Sequence, residues 1–295
     1  MVCDRGMAIT MGTPAVDELG DVLRVLGEWQ HDGGPVQLHP GDVGWFWRFG
    51  AERTATATRT WSRAGDVLAV GLLDGADLVR LAFAPDALRD EELARRVVED
   101  VSAPERGVLP EGAVSVEVPV GALVQDLLST HGWESGEPWT LLRRDLGVPV
   151  PDPGARVEVI GPERAHEWAA VVRASFDGST FTEERWHAMA SGVPYAGARC
   201  LVVRDERGEA VAAVAVWSAG GGRPGLIEPM GVHRAHRGHG HGRAITMAAA
   251  RALQELGSSS VVVCTPSANV GAVATYRSAG LDRLPERRDL HRAAA

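Results

Sequence analysis

From residue 155 onward, apolar positions fall into short continuous runs separated by stretches of helical spacing. Residues 156–160 predict a strand. Pro162 then opens a helix to about Ser175, since proline's missing N–H costs nothing in a first turn. Thr182 followed by Glu183 and Glu184 reads as an N-cap with an acidic first turn, leading a helix to about Ser191. Apolar runs over 198–204 and 209–218 flank Asp205-Glu206-Arg207-Gly208 and predict a hairpin. A strand over 226–232 precedes a helix over 240–256 that Gly257 ends. A strand over 259–265 precedes a helix over 270–279 that Gly280 ends, and two weak strands are expected from Leu281 onward.

The first half has a similar rhythm. A helix is expected over 14–30 and a Trp-rich turn over 44–50. Strands are expected over 55–61, 67–73 and 78–84, and a helix over 86–101. A strand over 114–119, a helix over 121–131 and a strand over 139–144 complete the order. The shared order predicts a diverged structural repeat. Between the halves, residues 147–154 hold three prolines and two glycines, which cannot continue a helix or a central strand. They read as a short, stiff linker between domains at 1–146 and 155–295.

Length agrees with two domains, since 295 residues is twice the usual ~150. Residues 1–150 carry 24 acids and 13 arginines, whereas residues 151–295 carry 15 and 17. All 30 basic side chains are arginine. A net charge of −9 argues against nucleic acid as a partner, because phosphate contacts need a basic face. The acidic first half would instead attract a cationic small molecule, or is only a solvated surface. No apolar run approaches the ~18–20 residues that cross a bilayer, and the N-terminus does not read as a signal peptide. Cys3, Cys200 and Cys264 are too few and scattered for a disulfide framework, so a reducing cytoplasmic setting is expected.

The informative stretch runs from Leu226 to Ile245, where an apolar strand enters a glycine-rich turn and then a helix. The first N–H groups of a helix have no internal partner, and its dipole puts partial positive charge there. Gly238, Gly240 and Gly242 let the backbone approach a ligand, so this turn reads as an anion site suited to a pyrophosphate. A dinucleotide fingerprint is excluded, because its third glycine position, counted from Gly240, is Ile245. A P-loop is excluded by the lack of lysine.

Arg237-x-x-Gly240-x-Gly242 at this junction resembles the signature of the GNAT family of N-acetyltransferases, Arg/Gln-x-x-Gly-x-Gly/Ala. The strand 261–265 followed by Asn269, Ala272, Tyr276 and Gly280-Leu281 is similar to the family's closing motif, with Leu281 where phenylalanine is usual. The resemblance spans about residues 155–290. It implies an α/β fold with two GNAT-like domains in tandem. Each would be a mostly antiparallel mixed sheet flanked by helices, as in mycothiol-synthase-like actinobacterial proteins. The first would be degenerate, because acids and no glycine cradle follow its matching strand.

The resemblance further implies acetyl-coenzyme A as co-substrate, no metal, and the amine of a small molecule as acceptor, in a monomer or homodimer. The backbone of Arg237, Gly238, His239, Gly240, His241, Gly242 and Arg243 would hold the pyrophosphate. Met230 and Val232 would pair with the pantetheine amides. Glu228 would serve as base or contact the acceptor, or is a solvated strand acid. Tyr276 would protonate the leaving sulfur, or simply packs. Asn269 would bind the pantetheine arm, cap a helix, or both. His233, His236, His239 and His241 suggest a metal, but no Cys or acid lies among them to complete a ligand set. Cys264 reads as a small buried hydrophobe. Trp45-Phe46-Trp47 would line an acceptor pocket or form a seam between the halves. A coenzyme A-binding sensor without turnover is the non-enzymatic alternative.

Overall fold

The computed structural model describes residues 8–294; Cys3 lies outside them. In chain order the elements are β1 (Thr10–Gly12), α1 (Leu19–Glu28), α2 (Pro40–Phe46), α3 (Ala51–Ala57), β2 (Thr58–Arg63), β3 (Asp66–Leu73), β4 (Leu78–Phe83), α4 (Glu91–Ser102), β5 (Val114–Glu117), α5 (Leu123–Thr130) and β6 (Glu134–Asp145). They continue with β7 (Arg156–Val159), α6 (Ala165–Ser175), α7 (Glu183–Ala190), β8 (Ala198–Arg204), β9 (Ala210–Ser218), β10 (Gly225–Val232), α8 (His241–Glu255), β11 (Ser260–Pro266), α9 (Val270–Ser278), β12 (Asp282–Arg283) and β13 (Arg287–Arg292).

These elements form two compact units. The first takes the chain up to Leu38, Glu52–Pro138, and from Arg287 onward; the second takes His39–Ala51 and Trp139–Glu286. The first unit orders its strands β1-β2-β3-β4-β5-β13. Only β4 and β5 run parallel there, through Leu78↔Ser115, Val79↔Val116 and Arg80↔Glu117. Its α4 is capped by Asp90, whose carboxylate accepts from the Leu93 N–H at 2.8 Å. Arg80 and Arg287 hold Glu117 at 2.9 and 2.7 Å. Burial pushes the Glu117 carboxyl up, but the two guanidinium charges outweigh it and hold it below the usual range.

The second unit orders its strands β6-β11-β10-β9-β8-β7, with β12 beside β6, and only β10 and β11 run parallel. The small buried face of α8, including Ala244, Ile245, Ala248 and Ala249, packs on Leu201, Val203, Val214 and Val216. Strand alternation turns Ala213, Ala215 and Trp217 to the opposite face, where they are buried too. A strand covered on both faces has no polar side, which is why β9 reads as an unbroken apolar run.

Several sequence expectations are corrected. The Trp-rich turn is the short helix α2 followed by a 3-10 turn at Trp47–Phe49, and it belongs to the second unit. Residues 55–57, expected to start a strand, are the end of the helix α3, and the strand begins at Thr58. The helix expected from residue 86 begins only at Glu91, because Asp90 caps it. The 147–154 segment lies inside the second unit, not between the two. Gln254 on α8 holds it there, donating to the carbonyls of Leu146 and Val148 and accepting from the Val150 N–H.

Candidate functional site

The site begins where two strands part. β10 and β11 pair only at Gly225↔Val261 and Leu226↔Val262, after which neither continues the ladder with the other. The register between β10 and β9 also shifts between Ile227 and Met230, so Glu228 and Pro229 stand opposite the single residue Ala215. This is a bulge, and Pro229 suits it because proline cannot donate to a ladder. A cleft of about 720 Å³ opens between the parted strands.

One end of the cleft is the turn before α8. Gly238 and Gly240 adopt φ of +84° and +82°, the left-handed region that disfavours side chains. A Cβ at either would meet nothing within 4 Å, so both are required by conformation and leave the turn's surface open. Gly242 differs. A Cβ there would lie 2.8 Å from Thr275 Cγ2, so this glycine lets α8 approach α9. No side chain caps the start of α8, which leaves its first N–H groups facing outward.

Arginine side chains brace this turn. Arg237 donates to the Ser175 carbonyl at 2.7 Å, Arg234 to the Ala174 carbonyl at 2.9 Å, and Arg243 to the Ser278 carbonyl at 3.0 Å. The imidazoles of His236 and His239 lie 6.5 and 6.2 Å from that of His241. Burial, helped by the charges of His236 and His239, lowers the His241 pKa. That imidazole is therefore neutral at neutral pH, and the positive potential of the turn comes from its guanidinium groups and backbone dipoles.

At mid-cleft sit Glu228 on β10 and Tyr276 on α9. Burial, with Glu228 and then Cys264 acting in the same direction, holds the Tyr276 hydroxyl above the usual phenol value. Its proton stays on oxygen through the neutral range. Glu228 is the one carboxylate among the described residues that line the cleft. The donors and the open glycine surface fit a diphosphate at one end, and a carboxylate beside a protonated phenol fits proton exchange in the middle.

Met230, Val232, Arg237, Gly238, Gly240, His241, Gly242, Arg243 and Asn269 line this same cleft with Glu228 and Tyr276, while His239 does not. Asn269 caps α9, its side chain accepting from the Ala272 N–H at 3.2 Å. Sequence reasoning missed Ser175 and Phe176 at the end of α6, and Thr265 and Pro266 at the end of β11. Nothing in their local pattern marks them, since they reach the cleft only through the packing of elements distant in sequence. Trp45, Phe46 and Trp47 do not line it. Trp45 stacks on Phe181 at 5.2 Å and meets Trp168 edge-on, as packing inside the second unit. Among the described residues, no cluster of three or more His, Cys, Asp or Glu could hold a metal ion, and no helix is long and apolar enough to cross a membrane.

Residues 163–281 match the acetyltransferase (GNAT) family, and they include β10, the glycine turn, α8, β11 and α9. This part of the chain is thus similar to the acetyltransferases of the GNAT family. The whole chain shares its fold with solved GNAT structures. A GCN5-related N-acetyltransferase from Sphaerobacter thermophilus is 20% identical, with 99% of this chain and 96% of that one covered and a TM-score of 0.57. A tandem GNAT protein from the clavulanic acid biosynthesis pathway is 16% identical, with 98% and 99% covered and a TM-score of 0.57. A GNAT-family acetyltransferase from Colwellia psychrerythraea is 13% identical, with 97% and 99% covered and a TM-score of 0.60. None of the curated proteins compared with the chain matches it. The tandem arrangement expected from the repeated order of elements is thus that of a known GNAT architecture.

Proposed function

We propose that the protein transfers an acetyl group from acetyl-coenzyme A to the amine of a small molecule by direct attack, with both substrates held in the second unit's cleft. The observation that carries this reading is the convergence of three features on one cleft: the uncapped start of α8, Glu228 and Tyr276. Acetyl-coenzyme A supplies the acyl group as a thioester. The N–H groups of residues 237–243 bind its diphosphate, and Arg237 and Arg243 hold the turn in shape through the carbonyls they engage. The edge of β10 at Met230 and Val232, open toward the cleft, orients the pantetheine arm, and Asn269 borders that arm while capping α9.

Glu228 takes a proton from the acceptor ammonium, directly or through one water. Tyr276 gives its proton to the departing sulfur, and its raised pKa keeps that proton on the phenol until the sulfur leaves. One C–S bond is exchanged for one C–N bond; of the two protons the ammonium loses, one leaves through Glu228 to solvent and the other, lost after the C–N bond forms, balances the one gained at sulfur.

The first unit takes no coenzyme on this reading. The matching helix start, at α4, is already capped by the Asp90 carboxylate, so a phosphate would face a negative charge instead of open N–H groups. Where β10 and β11 part in the second unit, β4 and β5 are tied by Arg80 and Glu117.

Mixing the protein with acetyl-coenzyme A and a panel of small amines should release free thiol with at least one of them. Saturable coenzyme binding without thiol release across the panel would point to a sensor. In the same assay, Tyr276→Phe should lower kcat by ~10-fold or more with little change in coenzyme affinity. Because the Tyr276 pKa is raised, the wild-type kcat should show no decline from loss of that proton up to about pH 10. A kcat that collapses from pH 8 in wild type, but not in Tyr276→Phe, would contradict the assignment.

A further inference from the structure

Trp217 sits near the end of β9, opposite Leu226 of β10 and Ala198 of β8, and its side chain is 1% exposed. Its indole N–H does not point away into packing. It donates to the backbone carbonyl of Glu228 at 2.6 Å. That carbonyl lies in the bulge, where the ladder between β9 and β10 is interrupted and Pro229 has no N–H to offer. A part-buried carbonyl at a break in the ladder is stabilised by a donor, and here the indole supplies one.

The ring is held from its other side by α2. A Cβ at Gly41 would lie 2.5 Å from Trp217 Cβ, and one at Gly44 would overlap Trp217 Cζ3. Only glycine lets the helix backbone lie this close. α2 is in turn fixed by His39, which caps it by accepting from the Gly41 N–H at 2.9 Å. The other ring nitrogen of His39 lies 3.1 Å from the Pro224 carbonyl, one residue before β10. Tyr195 meets the indole edge-on at 6.2 Å. The indole is therefore clamped between a glycine-faced helix and the strand whose bulge it pins.

We infer that Trp217 is a positioning residue for the acetyl transfer: its indole N–H fixes the bulge and so aims the Glu228 carboxylate into the cleft. The inference rests on the reading of Glu228 as the base. It gives α2, which the chain contributes ahead of β2, a part in the chemistry without touching substrate. A misplacement of ~1 Å at a reacting group can cost ~10²-fold, so losing this bond should be felt in turnover.

The test uses the full chain with Trp217→Phe, which keeps an aromatic ring and removes the N–H, alongside Glu228→Gln and the double variant. Folding is checked by circular dichroism and thermal unfolding, and coenzyme binding by calorimetry. Trp217→Phe should lower kcat by ~10-fold or more while coenzyme Kd stays within about twofold. In the Glu228→Gln background it should have no further effect, because Trp217 acts through that side chain. Gly44→Ala, which pushes the ring from the other side, should lower kcat in the same way and serves if Trp217→Phe unfolds. Wild-type kcat in Trp217→Phe, or losses that multiply in the double variant, would overturn the inference while leaving the base reading intact. A wild-type rate in Glu228→Gln would instead overturn the base reading, and this inference with it.

Discussion

Glu228→Gln is expected to lower kcat by ~10²–10⁴-fold at neutral pH, the usual worth of a positioned base. The substitution keeps the shape of the side chain and removes its ability to take a proton. Coenzyme affinity should change little, because Glu228 lies on β10 and the turn proposed to bind the diphosphate is a separate segment before α8. The deficit should also shrink as pH rises toward the ammonium pKa of about 10, where the acceptor arrives already neutral. Steady-state kinetics over that range, with coenzyme binding measured in parallel, checks both parts. A Gln variant that keeps the wild-type kcat at pH 7 would remove Glu228 from the chemistry. A deficit constant with pH would assign it to holding the acceptor and not to proton transfer.

The second unit was legible because its signals are local. The run of α8 follows from Gly240 just before it and Gly257 just after its end. The apolar runs of β8, β9 and β11 are long enough to read as strands. The cleft was legible for the same reason: the residues named for it lie on consecutive elements, β10 through α9. What the sequence hid depends on distant partners. Gly41 and Gly44 lower the helical signal of α2, and the indole of Trp217, far along the chain, is what requires them. Residues 147–154 have the composition of a linker, yet Val150 is buried and Gln254 satisfies their backbone. The sequence shows Arg237 in the motif but not the Ser175 carbonyl that its guanidinium engages. Gly242 reads as a third open position, whereas Thr275 stands where its side chain would go. Each of these needs a contact between elements that no local pattern encodes.

Gly240→Glu is expected to weaken coenzyme binding by ~100-fold or more, since like charges brought together in a binding site cost several kcal/mol. Two effects act together there. The residue holds φ at +82°, which costs a side chain roughly 1–2 kcal/mol, and the new carboxylate enters the space a diphosphate needs. Gly240→Asn separates them, because asparagine tolerates the left-handed region and carries no charge. Nothing lies within 4 Å of a Cβ at this position, so neither variant need disturb the packing of α8. Calorimetric titration of coenzyme A into the wild-type protein, Gly240→Asn and Gly240→Glu is the decisive measurement. Strong binding, modest weakening and near-complete loss, in that order, is the expected result. Equal affinity in all three would mean that the start of α8 does not hold the coenzyme.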